Sequence, residues 1–194
     1  MPNPYPSFAN NATRDTIRPG ASFQCVSDTK FSTKSIAIGV APVSTDFFTT
    51  APVVDRCVDN YDAGNQLVTS GKSFVIQAIC VIPISTSIAD VDAVIQKGLI
   101  VLTAQNKEIG VFRVRHLAAG GGTFVAGAQV AAASSVGVVN GMPQSDMFRV
   151  SELQIQTNQS FKAQLIMPVT APYTMIAATT IEVDLVGYEI RPMA

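Results

Sequence analysis

The sequence predicts an all-β protein, an antiparallel β-sandwich with at most one short helix. Short segments rich in Val, Ile, Phe and Thr recur along the chain, separated by clusters of Gly, Pro, Asn, Asp and Ser. Several of them alternate apolar and polar residues with a period of two, which is typical of strands that bury one face. A length of 194 residues fits a single domain, which we place at residues 21–194.

The first 20 residues predict an extended N-terminal arm. MPNPYPSFANNATRDTIRPG holds four prolines and three asparagines without a periodic apolar pattern. It has no basic segment followed by an apolar core, so it does not resemble a secretory signal, and we expect the chain to remain in a cytoplasm. There the widely spaced Cys25, Cys57 and Cys80 favour reduced thiols over a disulfide framework.

The candidate strands follow the arm in close succession. They are ASFQCV (21–26), SIAIGV (35–40), APVVDRCV (51–58), SFVIQAICVI (73–82), GLIVLTA (98–104), IGVFRVRHL (109–117), TFVAGAQV (123–130), MFRVSELQIQ (147–156), SFKAQLIM (160–167) and TIEVDLVGYEI (180–190).

Three of these strands carry more specific information. SFKAQLIM alternates strictly, which predicts one buried and one exposed face. SFVIQAICVI is apolar on both faces, which predicts a central strand whose two faces are both buried, one of them against the core. In TIEVDLVGYEI the apolar phase changes at Gly187, which predicts a β-bulge there.

One segment has a helical pattern, STSIADVDAVIQKG (85–98). Ser87 is a candidate N-cap with Asp90 three residues later, and Gly98 is a candidate stop. A loop is the alternative, because Ile and Val are mediocre helix formers.

The surface of this protein must be unusually poor in charge. Charged residues make up 14% of the chain, against about 25% in soluble proteins, and the mean hydropathy is +0.30. Either the chain spans a membrane, or much of its surface packs against other subunits. Residues 116–144 lack Asp, Glu, Lys and Arg, but glycines and serines interrupt their apolar residues, so we expect no membrane span.

We therefore interpret this segment as subunit interface. The interface candidates are Gly120, Gly121, Gly122, Ala132 and Val138.

No motif predicts catalysis, so we expect no enzyme, no cofactor and no small-molecule substrate. His116 is the single histidine, and no nucleophile motif accompanies it. TSGKS (69–73) imitates the end of a phosphate loop but leads into a predicted strand instead of a helix. A zinc site of the three cysteines and His116 would lack the close ligand pairs that such sites use.

The acidic residues offer one weak metal candidate, a calcium site formed by Asp55, Asp59, Asn60 and Asp62. Their spacing does not match an EF-hand, and a solvated turn uses the same residue types.

The remaining charges favour neither a glycosidase pair nor nucleic-acid binding. Glu182 and Asp184 share one strand face, where we expect solubilising charges. The net charge is −1, and the basic neighbourhood of Lys107, Arg113 and Arg115 is too small to drive nucleic-acid binding by itself.

Several stretches of the chain resemble a known family. They are, in chain order, SFVIQAICVIPI, GLIVLTAQNKEIGVFRVRHLAAGGG, NQSFKAQLIMPVTAP and IEVDLVGYEIRPMA. Together they resemble virion structural proteins of the single jelly-roll kind in icosahedral phages. The resemblance covers residues 70–194. It implies a jelly roll of about eight strands in two facing sheets, with an arm that reaches neighbouring subunits. It also implies assembly with copies of itself and other virion proteins into a capsid or a capsid-associated layer of the virion.

Two other classes of function remain open. The first is a carbohydrate- or receptor-binding β-sandwich of the spike or lectin-like kind, although the chain has no tryptophan and only four tyrosines to offer as sugar platforms. The second is an enzyme on a jelly-roll scaffold, which would need a cluster of metal-binding histidines.

The interface interpretation makes a direct prediction. Replacing Ala132 or Val138 with Glu should impair assembly more than folding, because a charge desolvated at a subunit contact is costly. Sedimentation would measure assembly, and circular dichroism would measure folding. Loss of the folded monomer would instead assign the segment to the intrachain core.

Overall fold

The computed structural model describes residues 23–50, 59–69, 71–117 and 148–192, which form two antiparallel sheets. The strands are β1 (Phe23–Ile36), β2 (Ser44–Phe47), β3 (Asp59–Asn60), β4 (Ser73–Ser85), β5 (Leu99–Ala104), β6 (Lys107–Arg113), β7 (Phe148–Ile155), β8 (Phe161–Ile166) and β9 (Thr179–Pro192). Two helices accompany them, α1 (Ile88–Lys97) and the single turn α2 (Val114–Leu117). The predicted all-β class is confirmed, but the prediction of at most one short helix was wrong, because the residues after β6 form the second helix, α2.

The strand order is symmetric about the β5–β6 hairpin. One sheet has the order β3-β1-β9-β4-β7 and the other β2-β8-β5-β6. With the two-residue β3 set aside, β5 pairs with β6, β4 with β7, β2 with β8 and β1 with β9. The pairs β4–β9 and β5–β8 then join these ladders into two sheets.

A single cluster of buried hydrophobic residues draws on both sheets. It includes Phe74 and Ile76 of β4, Val183 and Leu185 of β9, and Leu165 of β8. Each such side chain stabilises the fold by about 1.5–3 kcal/mol relative to an exposed one. The strict alternation predicted for β8 is confirmed, since its burial alternates residue by residue.

The β4 strand lies between β9 and β7 and is buried on both faces. Phe74 and Ile76 belong to the main core, whereas Val75 packs on the other face with Tyr188 and Ile190 in a second cluster. The predicted double coverage of this strand is confirmed.

Two predicted strand boundaries were wrong. β1 continues without a break through the polar residues 27–30, which pair along β9, and it ends at Ile36, so most of the predicted strand 35–40 is a turn. Gly39 takes φ +78° there. β6 ends at Arg113, because the chain enters a helical turn that buries Val114 and Leu117, three residues apart, on one side. The candidate strands 51–58 and 123–130 lie outside the described residues.

The predicted helix is confirmed as α1. Ser87 caps it, since its side-chain oxygen accepts a hydrogen bond from the backbone N–H of Asp90. At the other end, the N–H of Gly98 donates to the carbonyl of Val94. Among the helices of the described ranges, none has the length and apolarity needed to cross a membrane.

The bulge predicted at Gly187 is in the opposite strand. β9 pairs with β1 in unbroken register across Gly187, whereas the β4–β9 register shifts between Ile76 and Ala78, so the extra residue is Gln77. Gly187 has another role, because a Cβ at this position would lie 1.8 Å from the carbonyl oxygen of Val75. The glycine permits the close approach of β9 to β4.

We predict that Gly187→Ala destabilises the protein by about 3 kcal/mol or more, because the added methyl group forces the two strands apart. Urea unfolding would measure the loss. Gly39→Ala is the control, since no atom lies within 4 Å of its added Cβ and only its positive φ costs about 1–2 kcal/mol. Equal losses in the two variants would contradict this account.

Candidate functional site

The predicted calcium residues hold the chain segment after β3 against β1. Asp59 accepts a hydrogen bond from the backbone N–H of Thr33 at 3.2 Å, and the Asn60 amide donates to the carbonyl of Thr29. Asp62 accepts from the backbone and hydroxyl of Thr69 at 2.8 and 3.1 Å.

Asp55 lies outside the described residues. In the part of the chain that the structure describes, no group of three or more His, Cys, Asp or Glu side chains is placed to hold a metal ion.

The other predicted site residues are dispersed. The interface candidates Gly120, Gly121, Gly122, Ala132 and Val138 lie outside the described residues, as do residues 1–20 and Cys57. His116 is exposed on α2, where its Nε2 accepts a hydrogen bond from Arg115 at 3.3 Å. Cys25 is exposed and Cys80 is buried.

A buried ion cluster, which the sequence reading missed, lies where β9 nears its C-terminal end. Its centre is Lys30 of β1, whose ammonium lies 2.9 Å from Asp28, 3.3 Å from Glu189 and 3.6 Å from Asp62. Glu189 is fully buried and also pairs with Lys72 and Arg191. Three cations thus face three carboxylates. A signal existed in β9, because the alternation of Ile181, Val183 and Leu185, continued past Gly187 without a phase change, places Glu189 on the inward face. The predicted bulge at Gly187 concealed this signal.

Two members of the ion cluster, Lys30 and Asp62, are held in their charged forms. Burial alone would lower the pKa of Lys30, but the hydrogen bond and charge of Asp28, with the charges of Asp62 and Glu189, raise it above its ordinary value. Burial likewise disfavours the Asp62 carboxylate, yet the N–H of Thr69 and the ammonium groups of Lys30 and Lys72 lower its pKa. These ion pairs hold β1, β9 and the segment after β3 together.

A second set of acidic residues lies on the outer face of the five-stranded sheet. Asp184 stands between Phe31 of β1 and Cys80 of β4, and Glu182 accepts a hydrogen bond from Thr33 at 3.3 Å. The Oδ1 atom of Asp184 is buried and has no hydrogen-bond partner. Burial, followed by the charge and hydrogen bond of Glu182, raises the pKa of Asp184 to about 7. The prediction of a freely solvated charge is therefore wrong for Asp184.

A third buried carboxylate, Asp90 of α1, holds the loop between β8 and β9. It accepts hydrogen bonds from the Tyr173 hydroxyl at 2.8 Å and from the backbone N–H groups of Ile176 and Ala177 at 2.9 and 2.8 Å. Burial disfavours its charge, but the two N–H groups lower its pKa. Burial and the neighbouring Asp90 raise the pKa of Tyr173 to about 12.

The loop that Asp90 holds lies beside the loop between β1 and β2. Gly39 donates a backbone hydrogen bond to Met175 at 2.9 Å, and Met175 donates to Val40 at 2.9 Å. Met167 donates to Val43 at 3.0 Å. These bonds join the loops 37–43 and 167–178 into one surface.

A polar cleft lies at the opposite end of the four-stranded sheet, beside the β5–β6 turn and the start of β8. Its volume is about 330 Å³, and its lining residues are Asn65, Thr103, Asn106, Ser160, Phe161 and Lys162. Five of the six lining residues carry an amide, hydroxyl or ammonium group.

The ion cluster predicts a large effect of Lys30→Met. We expect a loss of about 3 kcal/mol, because the substitution removes the central cation from buried carboxylates. The double variant Lys30→Met/Glu189→Gln should recover part of the loss. Lys34→Met is the matched control, since within the described residues the Lys34 ammonium donates to the exposed Thr50 hydroxyl, and it should change stability by less than about 0.5 kcal/mol. Similar losses in both single variants, measured by urea unfolding, would refute a special role for Lys30.

The raised pKa of Asp184 predicts a pH-dependent effect of Asp184→Asn. The folded state holds the proton of Asp184 more tightly than the unfolded state does, so this contribution to stability is present below pH 4 and is lost as the pH rises through about 7. Asp184→Asn should therefore raise the free energy of unfolding at pH 8 by about 1–3 kcal/mol relative to wild type, and by less at pH 4. The exposed Asp92→Asn is the control. A difference that does not change with pH would contradict the assignment.

The polar clusters described above join segments of this chain to one another, so within the described residues the cleft and the two joined loops are the candidates for contact with other molecules. Comparisons of the chain with protein-family models, with curated proteins and with solved structures found no match.

Proposed function

We propose that this chain is a viral structural protein with a jelly-roll fold, which assembles through apolar subunit interfaces into a capsid or a capsid-associated layer. The observation that carries the proposal is the mirror pairing of eight strands about the β5–β6 hairpin. A jelly roll is built in this way, as a long double ribbon folded over into two sheets that face each other. The cluster of buried residues shared by both sheets supports a sandwich.

The composition supports assembly with other subunits. A chain with 14% charged residues has little charged surface to display, and large exposed apolar areas are typical of proteins that bury them in contacts. Copies of this chain and other virion proteins are the partners that we propose, and the virion is its place of action.

A carbohydrate- or receptor-binding module is the second candidate, and the polar cleft favours it. Asn65, Asn106 and Ser160 offer hydrogen-bonding groups of the kind that recognise sugar hydroxyls. The aromatic residue of the lining, Phe161, is buried and presents no open ring for stacking. For this reason we rank this candidate second.

Electron microscopy and sedimentation of the purified chain test the proposal. We expect rings, sheets or shells, and a sedimentation coefficient that rises with protein concentration. A monomer that remains monodisperse at high concentration would overturn the proposal. Selective binding on a glycan array by such a monomer would favour the second candidate.

A further inference from the structure

One end of the molecule concentrates exposed aliphatic side chains. We call it the aliphatic end, and its members are Ile38, Val40, Val43, Ile84, Ile88, Val169 and Ile176. Ile38 and Val169 are each 67% exposed, and Ile176 is 59% exposed. The one other large hydrophobic residue exposed to a similar degree in the described ranges is Val111, midway along β6.

Strand register places these residues together. Ile36 and Ser85 both pair with Thr179, so β1 and β4 end where β9 begins. In the other sheet, Ser44 at the start of β2 pairs with Ile166 at the end of β8. The loops 37–43 and 167–178 therefore cross between the sheets at the same end, and residues 84–88 lead from β4 into α1 beside them.

The segments that form the aliphatic end contain no charged side chain of their own, and the charges described beside them belong to α1, where the Lys97 ammonium lies 5.4 Å from the centre of the Tyr173 ring. Residues 37–43, 84–88 and 167–178 contain no Asp, Glu, Lys or Arg. A solvent-exposed end of a β-sandwich is usually rich in polar loop residues, because loops run over the surface. Three adjoining uncharged segments point to a surface that is covered in the working state.

Backbone groups at this end already have partners within the chain. The bonds between Gly39, Val40 and Met175 satisfy part of the first loop, and Asp90 satisfies the N–H groups of Ile176 and Ala177. A surface with paired backbone groups loses less free energy when water is removed from it. A loop that is already fixed also loses less conformational entropy on binding.

We propose that the aliphatic end is the contact surface for a second copy of this chain. This inference rests on the proposed function, since it names the part of the molecule through which the copies meet. At about 30 Å² per aliphatic carbon, the exposed fractions of the seven side chains amount to roughly 400 Å². A standard interface buries about 800 Å² on each partner, of which a little over half is apolar. The aliphatic end supplies the apolar part of one such interface.

Charge also favours a second copy as the occupant. An uncharged surface can meet an identical surface without repulsion, whereas an oppositely charged partner would gain nothing from it. Insertion into anionic lipid is helped by several basic residues around the apolar group. The three segments contain none, and the basic group described against them is the Lys97 ammonium beside Tyr173.

The test uses the full-length chain and two charge-introducing variants, Ile38→Glu and Val169→Glu. Both side chains are largely exposed, so the monomer should fold, which circular dichroism and thermal unfolding would verify. We expect the apparent dissociation constant between copies, measured by analytical ultracentrifugation, to rise at least tenfold in each variant. Val111→Glu is the matched control and should assemble as wild type does. Should a glutamate variant fail to fold, Val169→Thr would replace it, because threonine preserves the shape while adding a hydroxyl.

The outcomes separate this inference from the proposed function. If wild type assembles and both variants assemble equally well, the inference fails and the proposed function stands. If wild type remains a monomer under all conditions, both fail. If the wild-type monomer instead binds vesicles of phosphatidylcholine and Val169→Glu abolishes that binding, the surface belongs to a lipid and the inference is overturned.

Discussion

The fold depends on β9, which must pair along both of its edges at once. It hydrogen-bonds to β1 through its full length and to β4 over most of it. Ile181, Val183 and Leu185 on one of its faces fill the core, and Tyr188 and Ile190 on the other form the second cluster with Val75. Because β9 hydrogen-bonds to β1 on one edge and to β4 on the other, the residues of both neighbours must lie opposite those of β9 in a compatible register. The bulge at Gln77 adjusts the register of β4, and Gly187 allows the backbones to approach where a side chain would not fit.

The two ends of the molecule satisfy their polar groups in different ways. Toward the C-terminal end of β9, Lys30, Glu189 and their partners replace apolar core with ion pairs. At the other end, a single carboxylate, Asp90, holds one loop by its backbone and a tyrosine, while the outward side chains are aliphatic. A buried carboxylate such as Asp90 favours one geometry of the loop, because a displaced loop would leave its charge without hydrogen bonds. The joined loops therefore present their aliphatic side chains in a defined arrangement.

Patterns that depend on near neighbours could be predicted from the sequence. The alternation of β8, the double burial of β4 and the Ser87 cap of α1 follow from residue spacing, and the structure confirms them. Features that depend on distant partners could not be predicted. The polar residues 27–30 suggested a break in β1, but they pair with β9. The carboxylates around the Lys30 ammonium compensate the burial of that charge. Gly187 was predicted to form a bulge, but its role is to let β9 approach Val75 of β4 closely. This contact could not be predicted, because Val75 lies more than 100 residues away in the sequence.

Burial of charge inside the molecule makes its surface poorer in charge than the composition alone indicates. Glu189, Asp90, Lys30 and Asp59 are all buried, and each has polar partners within the chain. The number of charged side chains at the surface is therefore smaller than the 14% of charged residues in the sequence indicates. With a net charge of −1, copies of the chain repel one another weakly at long range. Weak repulsion and an uncharged aliphatic end act in the same direction, since both lower the free energy of bringing two copies together. In the contact that we propose between copies, apolar burial would set the strength, and Asp90, which holds the loop 167–178, would set the geometry.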